Sequence, residues 1–85
     1  MPVISRFYGI LITMYFKDHN PPHFHASYAG YKAMISLDGQ VLEGTLPVRA
    51  RKLTLDWVAQ HEQQLQENWR RAQSGVPLDP IAPLE

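Results

Sequence analysis

Three of the four histidines in this chain fall within seven residues, in the stretch Asp18-His19-Asn20-Pro21-Pro22-His23-Phe24-His25. Histidine is the side chain that ligates a divalent metal or carries a proton near neutral pH. Any chemistry in these 85 residues therefore starts here. His23 and His25 are two apart, and on a strand that spacing projects both rings from one face. His19 precedes them across a loop. Together the three rings can offer nitrogens to a divalent metal such as zinc, with Asp18 or a water as the fourth ligand in tetrahedral geometry. Pro21 and Pro22 stiffen the loop and lower the entropy lost when such a site closes.

The same residues support a reading without metal. His19, His23 and His25 would then be the catalytic groups, acting as general acid and base on an RNA ribose hydroxyl while a cation holds the phosphate. Arg49, Arg51 and Lys52 are the phosphate-binding candidates, because they fall in the first turns of an expected helix, where the dipole favours anions. Arg6 and Lys17 are further ones. The plainest reading assigns no chemistry. His23 and His25 are then the polar face of a half-exposed strand, Asp18-His19-Asn20 is a solvated turn, and Arg49, Arg51 and Lys52 are a solvated helix start.

The elements that must position these residues follow from hydrophobic period. Residues 3–7 are short and apolar, and Gly9 offers a bend or bulge. In 10–16, Ile10, Ile12, Met14 and Phe16 share one face and Leu11, Thr13 and Tyr15 the other, which predicts a central strand. Pro21 and Pro22 lack backbone donors, so 17–22 is a loop. In 23–28, Phe24, Ala26 and Tyr28 alternate with His23, His25 and Ser27. Ala29-Gly30 is a hairpin turn into 31–37. Asp38-Gly39 predicts a type I′ turn, since both residues tolerate positive φ. A short strand at 40–43 ends at Gly44.

A helix comes next, with Thr45 as N-cap and Pro47 in the first turn. Leu53, Trp57, Val58, His61, Leu65, Trp69 and Ala72 make one apolar stripe at 3–4 spacing. Residues 48–72 as one helix would run about 37 Å, with room for one break. Trp57 and Trp69 read as core, and so does His61, with one hydrogen-bonded nitrogen. Ser74-Gly75 ends the helix. Residues 76–85 hold three of the seven prolines and read as an extended tail whose Val76, Leu78, Ile81 and Leu84 can dock on the body or on another chain.

These elements specify a single α+β domain over residues 1–85. An antiparallel sheet of four to five strands occupies 1–46. One long helix over 47–73, allowed one break, packs on a face of the sheet, and 74–85 is the Pro-rich tail. Phe24, Tyr28, Ile35 and Ile12 are the inward positions that meet the helix stripe.

Composition bounds the function classes. Hydrophobic residues are 45% and charged residues 19% of the chain, the profile of a folded soluble domain rather than a disordered one. A domain this small buries a modest core, which favours association with a partner or with itself. With no cysteine, disulfides and thiolate metal sites are excluded. No leader peptide is visible in Met1–Arg6 and no apolar run reaches the length of a membrane span, so the expectation is a cytoplasmic protein without membrane contact. Net charge is zero. Residues 1–52 carry six basic and three acidic side chains, and 53–85 carry two and five. That is a mild dipole, less basic than a dedicated nucleic-acid binder.

These residues resemble a family of short prokaryotic proteins grouped as domain of unknown function family 4160. The matching pieces are Met1-Pro2 with Ile4 and Phe7, Gly9-Ile10, Met14-Tyr15, the run from Asp18 to His25, and Tyr28. Further on come Gly44-Thr45-Leu46-Pro47 with Arg49, Leu53, Trp57, His61, Leu65 and Trp69, then Pro77-Leu78 and Ile81-Ala82-Pro83-Leu84. The run from Asp18 to His25 is the most specific piece. The resemblance implies one half of a two-gene pair with another small family, numbered 2442, in an arrangement similar to toxin–antitoxin modules, with this chain the toxin-like half. It carries no catalytic residues across. The leading expectation is a toxin-like component that binds a small antitoxin-like partner and acts on RNA through its histidines. The competing expectation is a non-catalytic interaction module in which the same histidines hold a structural metal or shape a polar surface. The neutral charge leans toward the second, since an RNA-cleaving protein is expected to be more basic.

Overall fold

A computed structural model describes residues 2–85; Met1, with which both the leader-peptide expectation and the family resemblance begin, lies outside the described residues. The fold is α+β. Five antiparallel strands, β1 (Val3–Phe7), β2 (Ile10–Thr13), β3 (His23–Tyr28), β4 (Tyr31–Ser36) and β5 (Val41–Gly44), pair in chain order as a meander. Two helices follow, α1 (Val48–Gln60) and α2 (Glu62–Ser74).

The strands are joined by tight turns where the sequence supplies positive φ. Tyr8 (50°) and Gly9 (80°) link β1 to β2, and Ala29 (47°) and Gly30 (87°) link β3 to β4. Successive positive φ is the I′ pattern, whose twist matches that of the flanking strands. Gly9 is thus a hairpin turn rather than a bulge; the irregularity in this pair lies between Val3 and Ser5.

The Asp38-Gly39 turn departs from the expected type I′, because only Gly39 (98°) has positive φ. The Gly39 amide donates to the Ser36 carbonyl at 2.9 Å, and the Ser36 amide donates to the Gln40 carbonyl at 2.8 Å. That closes a three-residue loop with glycine at its left-handed position. Asp38 is held by its side chain instead: its carboxylate accepts the Ser36 hydroxyl, whose oxygen in turn accepts the Gln40 amide at 3.0 Å. At Gly44 the constraint is steric as well. A Cβ there would lie 2.2 Å from the Lys32 carbonyl oxygen, so no side chain fits without moving backbone.

β2 stops at Thr13, three residues short of its expected end. The chain turns out of the sheet at Lys17 (φ 54°), whose amide donates to the Ala72 carbonyl near the end of α2 at 3.0 Å. This tether carries the polar loop toward α2 and decides where Asp18 stands.

The expected long helix is two. At His61 (φ −134°, ψ 28°) the chain leaves helical geometry; its amide bonds the Val58 carbonyl, and its own carbonyl accepts the Leu65 amide that starts α2. A straight helix of about 37 Å would overrun a body whose longest extent is 33 Å. Breaking it lets both halves of the stripe reach the core. The helix also starts later than Thr45: Pro47 is the flanking residue, and no side chain caps the end.

Trp57 of α1 is fully buried, 5.4 Å from the Phe7 ring and edge-on to Phe24 at 5.8 Å. Truncating such a residue to alanine costs about 3–5 kcal/mol. Ile12, Phe24 and Ile35 are fully buried beside it, and Tyr28 packs at their margin. Residues 76–85 form neither helix nor strand. They lie on the body, with Ile81 buried and its amide bonded to the Ile4 carbonyl at 2.7 Å. The Trp57 indole donates to the Ala82 carbonyl at 2.9 Å, and the Asn68 side chain makes both bonds to the Asp79 backbone. No helix among the described residues is long and apolar enough to cross a membrane.

Candidate functional site

The alternation of β3 divides its residues as the sequence predicts, but the histidine side is not a half-exposed polar face. His23 is as buried as Phe24, at 1% exposure. Trp69 of α2 lies against its ring, with centroids 5.4 Å apart. His25 is half-buried, and Tyr15 meets it edge-on at 4.7 Å. Asp18 reaches both. Its backbone is held from the helix side, where the Gln73 side-chain amide donates to the Asp18 carbonyl at 3.0 Å.

The polar geometry centres on one oxygen. His23 Nε2 lies 2.9 Å from Asp18 Oδ2, and His25 Nε2 lies 3.5 Å from the same atom. His23 Nδ1 is 2.7 Å from the Pro21 carbonyl. A carbonyl only accepts, so Nδ1 carries a hydrogen and donates it. Nε2 then faces a carboxylate oxygen, which also accepts. Two lone pairs cannot face each other at 2.9 Å without a cation they share, either a proton on the line between them or a metal ion bound to both from one side. The Asp18 carboxyl answers to several neighbours. Its partial burial pushes its pKa up, but the His19 amide, the His25 side chain, and the charge and hydrogen bond of His23 outweigh that, and the net direction is below the usual carboxylate value. The carboxylate is therefore the stable form, as a metal ligand or an ion-pair partner must be.

Asp18, His23 and His25 each present one ligand atom, and these lie within 4.8 Å of one another. Among the described residues no other set of three histidine or acidic side chains does so. Around a tetrahedral zinc with bonds of about 2.0–2.1 Å, neighbouring ligand atoms stand about 3.3 Å apart. The distances to Asp18 Oδ2, 2.9 and 3.5 Å, bracket that edge. The imidazole whose far nitrogen donates to a backbone carbonyl is the usual way a protein fixes a metal-binding histidine's tautomer.

His19 stands apart from this group. Its side chain is 68% exposed, and its Nε2 is 3.6 Å from Asp18 Oδ1, the other carboxylate oxygen. That oxygen accepts the His19 backbone amide at 2.8 Å. The His19 ring lies over His23, with centroids 5.1 Å apart, at the rim. The expected convergence of His19, His23 and His25 on Asp18 is therefore a core of three with His19 beside it. Arg49, Arg51 and Lys52 are exposed at the start of α1, and no hydrogen bond, ion pair or ring contact joins them to the cluster. His61 is half-buried at the helix junction, its Nδ1 2.7 Å from Gln64 Oε1.

Two supports of the site carry no signal in the sequence. Gln73 is 55 positions from Asp18, and the part played by the Pro21 carbonyl depends on how the loop turns. Trp69 reads as core from the helix stripe, and it is buried, but the same ring also roofs His23. Two shallow grooves flank the cluster. One, about 460 Å³, runs between Pro21-Pro22 and α2 at Trp69 and Arg70. The other, about 280 Å³, is lined by His25, Lys32, Met34 and Glu43 on the sheet.

Residues 9–70 match a family model described as Domain of unknown function (DUF4160), a span that contains the whole run from Asp18 to His25 and omits β1 and residues 71–85. No curated protein and no solved structure matches the chain.

Proposed function

We infer that this chain, which belongs to the DUF4160 family, is a metal-binding domain in which Asp18, His23 and His25 hold one divalent ion of the zinc type. One observation carries the reading: two imidazole nitrogens converge on a single carboxylate oxygen, while the other nitrogen of the buried histidine is committed to the Pro21 carbonyl. Protons satisfy the two nitrogen–oxygen lines only as two separate hydrogen bonds, one from each ring. A metal ion satisfies both at once.

Three protein ligands leave a position for water, the pattern of a site that does chemistry rather than one that only staples a fold. A bound divalent ion supplies Lewis acidity and a water that ionises more readily than in bulk. On this reading His19, exposed at the rim, would carry a proton to or from that position, and the three histidines of the run would have unequal roles. The cellular use we propose is the toxin-like half of a two-gene module, paired with an antitoxin-like partner of family 2442 and acting on RNA. The competing use is a structural metal in an interaction module, and the full burial of His23 favours that reading.

The metal reading is tested first, on untagged protein purified without chelator. Elemental analysis is expected to find about one divalent ion per chain, and added zinc to raise the Tm of chelated protein. Metal-free protein whose Tm ignores zinc sinks the proposal. The toxin-like use is tested separately: expression of the chain alone slows growth, and His25→Ala relieves it at equal protein level. Unimpaired growth at high expression leaves the structural use standing.

A further inference from the structure

The register of the sheet places two further cations on the face that carries His25. Residues paired across strands share a face. Arg6, Leu11, Ser27 and Lys32 form one such row across β1 to β4, and Thr13, His25, Met34 and Glu43 form the next across β2 to β5. The two rows are two residues apart along β3, so they lie on the same side. The opposite side carries Ile12, Phe24 and Ile35 under α1. Arg6 and Lys32 are exposed and form no ion pair or side-chain hydrogen bond among the described residues. They stand three strand spacings apart, about 14 Å, and the groove at Lys32 opens directly onto His25. Tyr15 adds an aromatic ring against His25.

We propose that this outer face binds the phosphodiester backbone of a single-stranded nucleic acid, held by Arg6 and Lys32 across the Asp18–His23–His25 centre, and that binding requires the metal. The claim rests on the metal reading above. Without a metal ion, Arg6 and Lys32 are offset on this face by Asp18 and Glu43, and only the proton between His23 and Asp18 leaves a positive charge. A divalent ion in its place raises the net charge of the face to two, and a polyanion then has a stronger reason to choose it. This accounts for a neutral chain with no basic stripe: the ion supplies the missing charge. Single strands fit the exposed part of this face, beyond the Trp69 roof over His23, because it offers cations and an aromatic ring and every base has a face to stack. The start of α1, with Arg49, Arg51 and Lys52, has no link to the centre and is not part of this surface.

The test is fluorescence anisotropy with a labelled 12-nucleotide oligouridylate, on zinc-loaded protein and after chelation. Chelation is expected to weaken binding at least tenfold. Arg6→Ala and Lys32→Ala each weaken it about 3–10-fold and flatten the salt dependence, by about 0.7 in log–log slope for each phosphate no longer neutralised, while zinc stoichiometry stays the same. Changing Arg49, Arg51 and Lys52 together to alanine leaves affinity unchanged. Zinc-loaded protein that ignores the oligonucleotide overturns this inference and leaves the metal site intact. So does binding that persists after chelation, or that responds to the helix variant and not to Lys32→Ala. Displacement by inorganic phosphate at equal phosphate concentration makes the site a single-phosphate pocket and overturns the polymer claim. Failure to bind zinc at all removes both readings.

Discussion

Two histidines in this molecule lean on a tryptophan at nearly the same distance, His23 on Trp69 at 5.4 Å and His61 on Trp57 at 5.6 Å. Only one of them belongs to the Asp18–His23–His25 cluster. His61 is half-buried where α1 gives way to α2, and the partner of its Nδ1 is a neutral amide oxygen, Gln64 Oε1. His23 is buried, with both ring nitrogens against oxygen acceptors and a second imidazole nitrogen aimed at the same carboxylate oxygen. The aromatic contact is packing in both places. What separates them is a carboxylate that demands a cation, and that difference can be broken or sharpened by substitution.

The largest effect is expected at His23. Replacing it with alanine empties a fully buried position and strips Asp18 of its nearest partner. A loss of about 2–4 kcal/mol in urea denaturation is expected from cavity and unpaired-group costs together, along with loss of zinc binding. A stability change under about 0.5 kcal/mol with zinc retained would make His23 no more than a second His61. His25 separates stability from chemistry. Its ring is part-exposed, so His25→Ala should cost no more than about 1 kcal/mol, yet zinc affinity by competition titration should fall at least tenfold, since a ligand is gone. If both variants lose stability in proportion to burial and neither changes zinc affinity, the cluster is packing alone.

His19 comes next, because it shares a loop with the site but not its geometry. At 68% exposure and 3.6 Å from the other carboxylate oxygen, it contributes little to folding. His19→Ala should move stability by less than about 0.5 kcal/mol and zinc affinity by less than about threefold, with any larger effect confined to activity. A drop in zinc affinity matching that of His25→Ala would promote His19 to a ligand and close the fourth position.

Local pattern explains which of these residues could be found from sequence. The period of two in β3 and the diproline loop are written in neighbouring residues, so the strand, its two faces and the candidates Asp18, His23 and His25 were legible. So was an antiparallel sheet of four to five strands, since three of its four connections carry a glycine and the fourth, between β2 and β3, carries the diproline. The burial of His23 was not. It depends on Trp69, 46 positions further on in the chain, and on a helix break that no proline or glycine marks. The break follows from the size of the body, which no window of sequence contains. The Asp38-Gly39 turn misled for a related reason. The dipeptide suits type I′, but the Ser36 hydroxyl holds Asp38 by its side chain and a three-residue loop results. Arg49, Arg51 and Lys52 were the natural anion candidates by sequence proximity to a helix start. Register adds Lys32, which no local pattern singles out, and puts it with the sequence candidate Arg6 on the face of His25.

The smallest expected effect on zinc binding closes the comparison from the other side. His61→Ala removes a ring from the edge of Trp57 and one hydrogen bond to Gln64, both at a partly solvated junction. A neutral hydrogen bond contributes about 0.5–1.5 kcal/mol when buried and less where water can replace it. The net change should therefore fall below about 1 kcal/mol, and zinc affinity should not move. Because His61 and His23 sit on their tryptophans alike, an unchanged zinc titration for His61→Ala beside an abolished one for His23→Ala assigns the difference to Asp18. A zinc affinity that falls for His61→Ala instead places the ion, or a second one, at the helix junction and dissolves the distinction between the two histidines.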